Sequence, residues 1–268
     1  MEIVVSNEEL FPFVPPEMFT EIKPDYPQEY SVRFLNPPAN KGNVCKITPS
    51  RMKLTHYGSI NLMAKVLNDV EMQYIPLNKV DVSRYGVDFS KSVIIITTYR
   101  DKQRTILSEE ILKIAQYVSS KGLTPVYVGK TGAISIWKNS LAASDFEYPG
   151  FGVDLRNQTS FSELWTIMSM SKAVIGVDGG PIHIAFSTQT PVICGFTTVR
   201  PEYRVPFRGS AKTISITPNI YCNFCESDWN LNFWNFNECP RKMELAECVT
   251  KMTAARFIDG LDSLGIYP

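Results

Sequence analysis

The chain lacks an excess of charge of either sign. Lys plus Arg is 27 and Asp plus Glu is 27 in 268 residues, giving a formal net charge of zero. That argues against a general electrostatic grip on nucleic acid or an anionic membrane, while a local basic patch remains compatible with it. Long hydrophobic runs are also missing. No apolar stretch approaches the roughly 18 residues of a membrane span. The opening "MEIVVSNEEL" has neither the basic start nor the apolar core of a signal peptide. The expectation is a cytoplasmic protein without a membrane span, in a compartment where thiols stay reduced. Its six cysteines then read as thiols or metal ligands before disulfides. Histidine is scarce, with two in the chain, so the place of either asks for a reason.

What is present divides into two halves. Residues 1 to about 50 are proline-rich and weakly periodic ("FPFVPPEMF", "KPDYPQEY", "FLNPPANKG"). "YGSINLMAKVLND" (57–69) has Ile60, Met63, Ala64 and Leu67 at helical spacing. "DVSRYGVDFSK" (81–91) has linker composition. From residue 92 strands and helices alternate. "SVIIITT" reads as a buried β-branched strand. "SEEILKIAQYVSSKG" reads as a helix with Ser108 as N-cap, one apolar face of Ile111, Ile114, Ala115 and Val118, and Gly122 at its end. "TPVYVG", "AVIGV" and "PVICGF" are further strands, "SFSELWTIMSMS" is a helix, and a short helix starts at Pro181. This alternation predicts an α/β fold with a Rossmann-like parallel sheet over residues 89–268, after a smaller N-terminal region, 1–88. Strand order is not readable.

"AVIGVDGGPIHIAF" (173–186) places Asp178, Gly179 and Gly180 at the carboxyl end of a strand. In open α/β sheets ligands bind at such ends. Glycines let backbone N–H groups approach a ligand, and a helix opened by Pro181 aims its positive end at the turn. His183 in the first helical turn is then a donor to a phosphate oxygen. The alternative is a tight structural turn with a packed histidine. Ser160 and Glu163 form an S-x-x-E capping box, which assigns Glu163 a structural task as well. In "TTVRPEYRVPFRG" (197–209), Arg200, Arg204 and Arg208 recur every four residues, but Pro201 and Pro206 argue for a loop. Those arginines are either solvated charge or a cover over an anionic ligand.

Cys222, Cys225, Cys239 and Cys248 have the spacing C-x2-C-x13-C-x8-C. Four thiolates complete a tetrahedral site with no open position, so zinc or iron there would be structural. Reduced core thiols or two disulfides are the alternatives. Cys45 and Cys194 fit no ligand spacing and read as buried thiols.

"AVIGVDGGPIHIAFSTQTPVICGF" resembles glycosyltransferase family nine, the heptosyltransferase group. The similarity rests on Asp178, Gly179, Gly180, His183, Ala185 and Pro191, and extends over about residues 92–260 through "SVIIITTYRDKQR", "GLTPVYVGK" and "NQTSFSELWTIMSMSKAVIGVDGG". The resemblance implies the C-terminal donor half of a GT-B fold, binding a nucleotide diphosphate-sugar and transferring the sugar with inversion, without a catalytic metal. It implies that Asp178 and the following amides face sugar and diphosphate. Arg104 would lie on the phosphates, with Lys102 as runner-up. Thr97 and Thr98 would end their strand on the same side, Gly129 and Lys130 would lie near the base, and Glu163 near the ribose. The cysteine segment, with its "CPR" step at residues 239–241, resembles a subset, the autotransporter heptosyltransferases, with a four-cysteine iron site.

The resemblance stops short of the N-terminal region. A Rossmann-like acceptor domain needs more than the 91 residues before Ser92. The family's glycine-rich opening turn and its catalytic aspartate have no counterpart here. Asp25, Asp69, Asp81 and His56 are available, but nothing singles one out as the general base that inversion requires. Catalytic residues therefore stay unassigned, and the acceptor, whether protein, glycan or nucleic acid, is not specified. One expectation is a glycosyltransferase with a reduced acceptor side, completed by another subunit of an oligomer. The other is a non-catalytic binding or assembly module that keeps the donor fold.

Overall fold

The computed structural model describes residues 78–99, 102–131, 134–137, 140–142, 146–201, 204–206, 208, 210–225, 239 and 241–267, with the backbone alone for 134–137 and 140–142. The helix expected over 57–69, and with it His56, Asp25, Asp69 and Cys45, lies outside the described residues.

In chain order the elements are β1 (Ser92–Ile96), α1 (Ser108–Ser120), β2 (Thr124–Val128), β3 (Ile134–Trp137), β4 (Ser140–Ala142), β5 (Val153–Asp154), α2 (Phe161–Met170), β6 (Ala173–Val177), α3 (Gly180–Phe186), β7 (Val192–Gly195), β8 (Thr213–Ile216), α4 (Glu247–Thr250) and α5 (Ala254–Leu264). Six strands form one sheet in the order β5-β2-β1-β6-β7-β8, and β3 and β4 form a separate antiparallel pair. Every pairing in the large sheet is parallel. All five residues of β1 and of β6 are buried, as central strands covered on both faces require.

Strand alternation sends successive side chains to opposite faces. Val93, Ile95, Ile175 and Ile193 meet α1 and α5 through Ile111, Ile114, Val118, Phe257 and Leu261. Ile94, Ile96, Val174 and Val192 meet α2 and α3 through Leu164, Ile167, Met168, Ile182 and Phe186. The result is a doubly wound, Rossmann-like layer. From β1 the chain builds outward through β2 to β5. It then returns to the other side of β1 and builds outward through β6, β7 and β8. The strand order therefore reverses between β1 and β6, and in open α/β sheets the carboxyl ends at such a reversal are where a ligand crevice forms.

Two helix starts differ from expectation. The N-cap of α1 is Leu107, without a side-chain cap, and Ser108 is already helical. Helix α3 begins at Gly180 with Gly179 as N-cap, so Pro181 is its second residue. A missing N–H costs nothing anywhere in a first turn, and composition alone does not separate these neighbouring positions. Gly122, with φ +73°, lies just past the Lys121 C-cap of α1, where the left-handed conformation favours glycine.

The segment with linker composition is packed. It folds into two 3-10 turns, Ser83–Tyr85 and Phe89–Lys91, and Val82 and Phe89 are buried among the side chains of the α2 and α3 face.

A candidate anion-binding crevice at the strand ends

Asp178 follows β6 directly, and its amide donates to Gly195 O at 3.1 Å, which carries the sheet one residue further. Its carboxylate is 4% exposed and collects three basic groups. Arg104 Nη1 lies 3.3 Å from Oδ2, Arg204 Nε 3.2 Å from Oδ2, and His183 Nε2 3.5 Å from Oδ1. Burial pushes the Asp178 pKa up. The Arg204 and Arg104 charges, with His183, outweigh burial and hold it well below the usual carboxylate range. At 3.2–3.5 Å these contacts act on the buried carboxylate chiefly through charge. Two guanidiniums against one carboxylate leave the crevice positive, with His183 at its edge.

Arg104 is buried, whereas its runner-up Lys102 is exposed, so the structure brings Arg104 and not Lys102 to Asp178. Arg104 Nε also donates to Thr198 Oγ1 at 3.0 Å. Thr197 Oγ1 donates to Gln103 O at 2.6 Å, which ties the β1–α1 loop to the loop after β7. Gln103 Oε1 is buried and accepts no hydrogen bond among the described residues.

The three arginines of 200–208 have three different fates. Arg204 joins Asp178. Arg200 is exposed, its guanidinium 5.2 Å from the Phe224 ring centroid. Arg208 is buried and donates to the carbonyls of Phe186, Thr188, Thr190 and Lys212, at 3.1, 2.7, 2.7 and 3.1 Å, gathering the end of α3 and the turn after it. Sequence spacing treats these three alike. Their separation depends on which carbonyls and carboxylates the fold brings within reach.

The remaining predicted residues line the neighbouring strand ends. Thr97 donates to Val128 O at 3.3 Å and is buried. Thr98 Oγ1 donates to Lys130 O at 3.0 Å and accepts from the Lys130 amide. Gly129 has φ +123°, and a Cβ there would stand 2.1 Å from Thr98 Oγ1, so no side chain fits. Neither Gly179 nor Gly180 has a positive φ, and a Cβ on Gly180 would meet nothing within 4 Å. The backbone does not demand glycine at those two positions, and Gly180 faces open space. His183 packs edge-on against Phe186, with ring centroids 5.8 Å apart.

Glu163 completes its capping box. Its amide donates to Ser160 Oγ at 3.2 Å, and Oε2 accepts from the Ser160 amide at 2.9 Å. Oε1 pairs with Arg84 Nη2 at 2.8 Å. Asp81 accepts from the Ser83 amide at 2.9 Å and serves the first 3-10 turn. Thr197 and Thr198 are the residues that sequence reasoning missed. The signal was present, because a Thr-Thr pair also follows β1 at 97–98.

Cys222, Cys225, Cys239 and Cys248 are all free thiols, as is Cys194, which lies buried in β7. Burial, and the developing negative charge on Cys225, Cys239 and Cys222, push the Cys248 thiol up to about 12. Cys248 thus senses the charge of the other three cysteines. Among the described residues no three metal-binding side chains stand together as a ligand group, and residues 226–238, between two of the cysteines, lie outside them.

Residues 136–233 match the model of glycosyltransferase family 9 (heptosyltransferase). The chain is heptosyltransferase-like. The iron-containing dodecameric glycosyltransferase TibC from enterotoxigenic E. coli superposes with a TM-score of 0.54 at 18% identity, covering 71% of this chain and 49% of that one. TibC in complex with ADP-D-β-D-heptose gives 0.51 at 17% identity, over 65% and 45%. A family 9 glycosyltransferase from Veillonella parvula gives 0.52 at 13%, over 76% and 58%. The chain spans about half the length of these structures. At such identity the likeness is one of fold. None of the curated proteins compared matches the chain. Among the described residues no helix is long and apolar enough to cross a membrane.

Proposed function

We propose that the crevice between the ends of β1 and β6 binds a nucleotide diphosphate-sugar, and that the chain serves glycosyl transfer with inversion at the sugar. The observation that carries this reading is the buried Asp178, held between Arg104 and Arg204 with His183 at 3.5 Å. A crevice with surplus guanidinium charge complements a diphosphate. The buried Asp178 carboxylate holds both guanidiniums at the strand ends for that contact. In this reading Arg104 lies on the phosphates, and Asp178 with the amides of Gly179 and Gly180 meets sugar and diphosphate. Thr97, Thr98, Gly129 and Lys130 border the base, and Glu163 borders the ribose. An ADP-sugar is the first donor class to test, because the TibC complex holds ADP-heptose.

Asp178 is unsuited to activate an acceptor hydroxyl. A carboxylate stabilised this strongly in its charged form is a weak base. In this reading the base comes from outside the crevice, from residues 1–77 or from another subunit, and the acceptor side sets the acceptor. The spacing C-x2-C-x13-C-x8-C of Cys222, Cys225, Cys239 and Cys248 suits a structural iron or zinc, which would fix the fold of that segment.

Thermal-shift screening against nucleotide diphosphate-sugars tests the donor reading. A ligand at a hundred times its Kd adds about 2.7 kcal/mol to stability and raises the midpoint accordingly. No shift with any donor at millimolar concentration refutes it. Binding without transfer to any acceptor favours the non-catalytic module instead.

A further inference from the structure

The two halves of the cysteine segment touch the two loops that hold Arg104. The Phe224 amide, between Cys222 and Cys225, donates to Thr197 O at 2.9 Å. Phe224 has φ +63°, and its ring packs on the side chains of the α2 and α3 face while carrying the Arg200 guanidinium. Thr197 in turn bonds Gln103 O at 2.6 Å, and Thr198 accepts from Arg104 Nε at 3.0 Å, both in buried surroundings. On the other side, Cys239, Ala246, Val249 and Cys248 pack against Leu107, three residues after Arg104. The side chain of Arg104 thus reaches Asp178 from between two loops that the cysteine segment contacts at Thr197 and at Leu107.

We infer that the Cys222–Cys225 turn is a positioning element for the anion crevice, acting through Phe224, Thr197 and Thr198 to set where Arg104 points. The inference rests on the donor-site reading above. Its physical basis is the fork geometry of arginine. A guanidinium held at Nε by one acceptor presents its Nη edge in a fixed direction, and releasing Nε lets that edge rotate away from both Asp178 and a bound phosphate. Phe224, Thr197 and Thr198 are positioning residues here.

The test uses the full chain and ADP as probe, with binding followed by calorimetry. Thr198→Val removes the acceptor for Arg104 at nearly constant volume. Thr198→Ser restores it. Phe224→Gly allows the left-handed backbone and keeps the amide that bonds Thr197 O, but removes the ring that anchors the turn to the α2 and α3 face. Thr198→Val and Phe224→Gly should each weaken ADP by about tenfold, the scale of one charged hydrogen bond. The double variant should lose no more than the larger single loss, and Thr198→Ser should bind as the parent does. Adenosine, which lacks phosphates, should show no such losses. Equal ADP affinity in folded Thr198→Val and Phe224→Gly overturns the inference while leaving the donor reading intact, and so do losses that simply add. A parent chain that binds neither ADP nor the uridine, guanosine or cytidine diphosphates overturns the donor reading and this inference together.

Discussion

Asp178 is a buried acid and Cys248 a half-buried one, and the structure moves them in opposite directions. Burial opposes ionisation in each. At the strand ends Arg204 and Arg104 more than compensate, and Asp178 stays ionised. In the cysteine segment the nearby groups are Cys225, Cys239 and Cys222, which share the sign of the charge being formed, and the Cys248 thiol is pushed up to about 12. At the strand ends two guanidiniums and His183 surround a single carboxylate. The cysteine segment concentrates groups whose ionised forms repel one another, an arrangement that a cation among the sulfurs reverses. The difference is one of neighbours, not of burial.

Removing Asp178 is the strongest test of the first half of that contrast. Asp178→Ala should destabilise the chain by about 3–5 kcal/mol, because two guanidiniums lose their buried counter-charge. Denaturant titration reads that loss. A change under about 1 kcal/mol would show that the arginines relax freely to solvent. Metal content tests the second half. Elemental analysis should find about one iron or zinc per chain, and a chelator should lower the melting midpoint. Native protein with neither metal, and with Cys222, Cys225, Cys239 and Cys248 all open to alkylation, would remove the contrast.

Acid titration gives a smaller effect with a definite sign. The folded pKa of Asp178 lies below its unfolded value, so its stabilisation is complete above the unfolded pKa of about 3.9 and fades as pH falls towards the folded pKa. Below pH 4 the parent should lose stability more steeply than Asp178→Asn, by about 1.4 kcal/mol per pH unit. Parallel curves would assign the acid sensitivity to other carboxylates, such as Asp154 beside Arg156. The smallest expected change is at Glu163. Glu163→Ala removes one arm of the capping box and the Arg84 pair, and should cost about 1 kcal/mol. A larger loss of ADP affinity than of stability would add a ligand contact to its structural one.

Much of the sheet was legible because its signals are local. An unbroken β-branched run such as that of β1 belongs only in a doubly covered strand. The apolar face of α1 repeats at helical spacing, and the Ser160–Glu163 box is written within four residues. The start of α1 was misplaced by one residue, because Ser108 sits inside the first turn while Leu107, with no capping side chain, takes the cap position. In the crevice Arg104 was named from the resemblance. In the sequence Arg204 is not distinguishable from Arg200 and Arg208, and Thr197 and Thr198 are marked only by their likeness to the Thr-Thr pair after β1.

The sequence by itself determined the α/β alternation, the strand-to-glycine turn at Asp178 and the cysteine spacing, since each is encoded within a few consecutive residues. Tertiary structure decided that β1 and β6 are neighbours, and hence that Asp178, Arg104 and Arg204 meet. It also decided that Arg208 holds backbone carbonyls and Arg200 rests on a ring. The reason is physical: a guanidinium finds its partner by distance in space, and strand order, which sets those distances, leaves no mark on the local pattern of the chain.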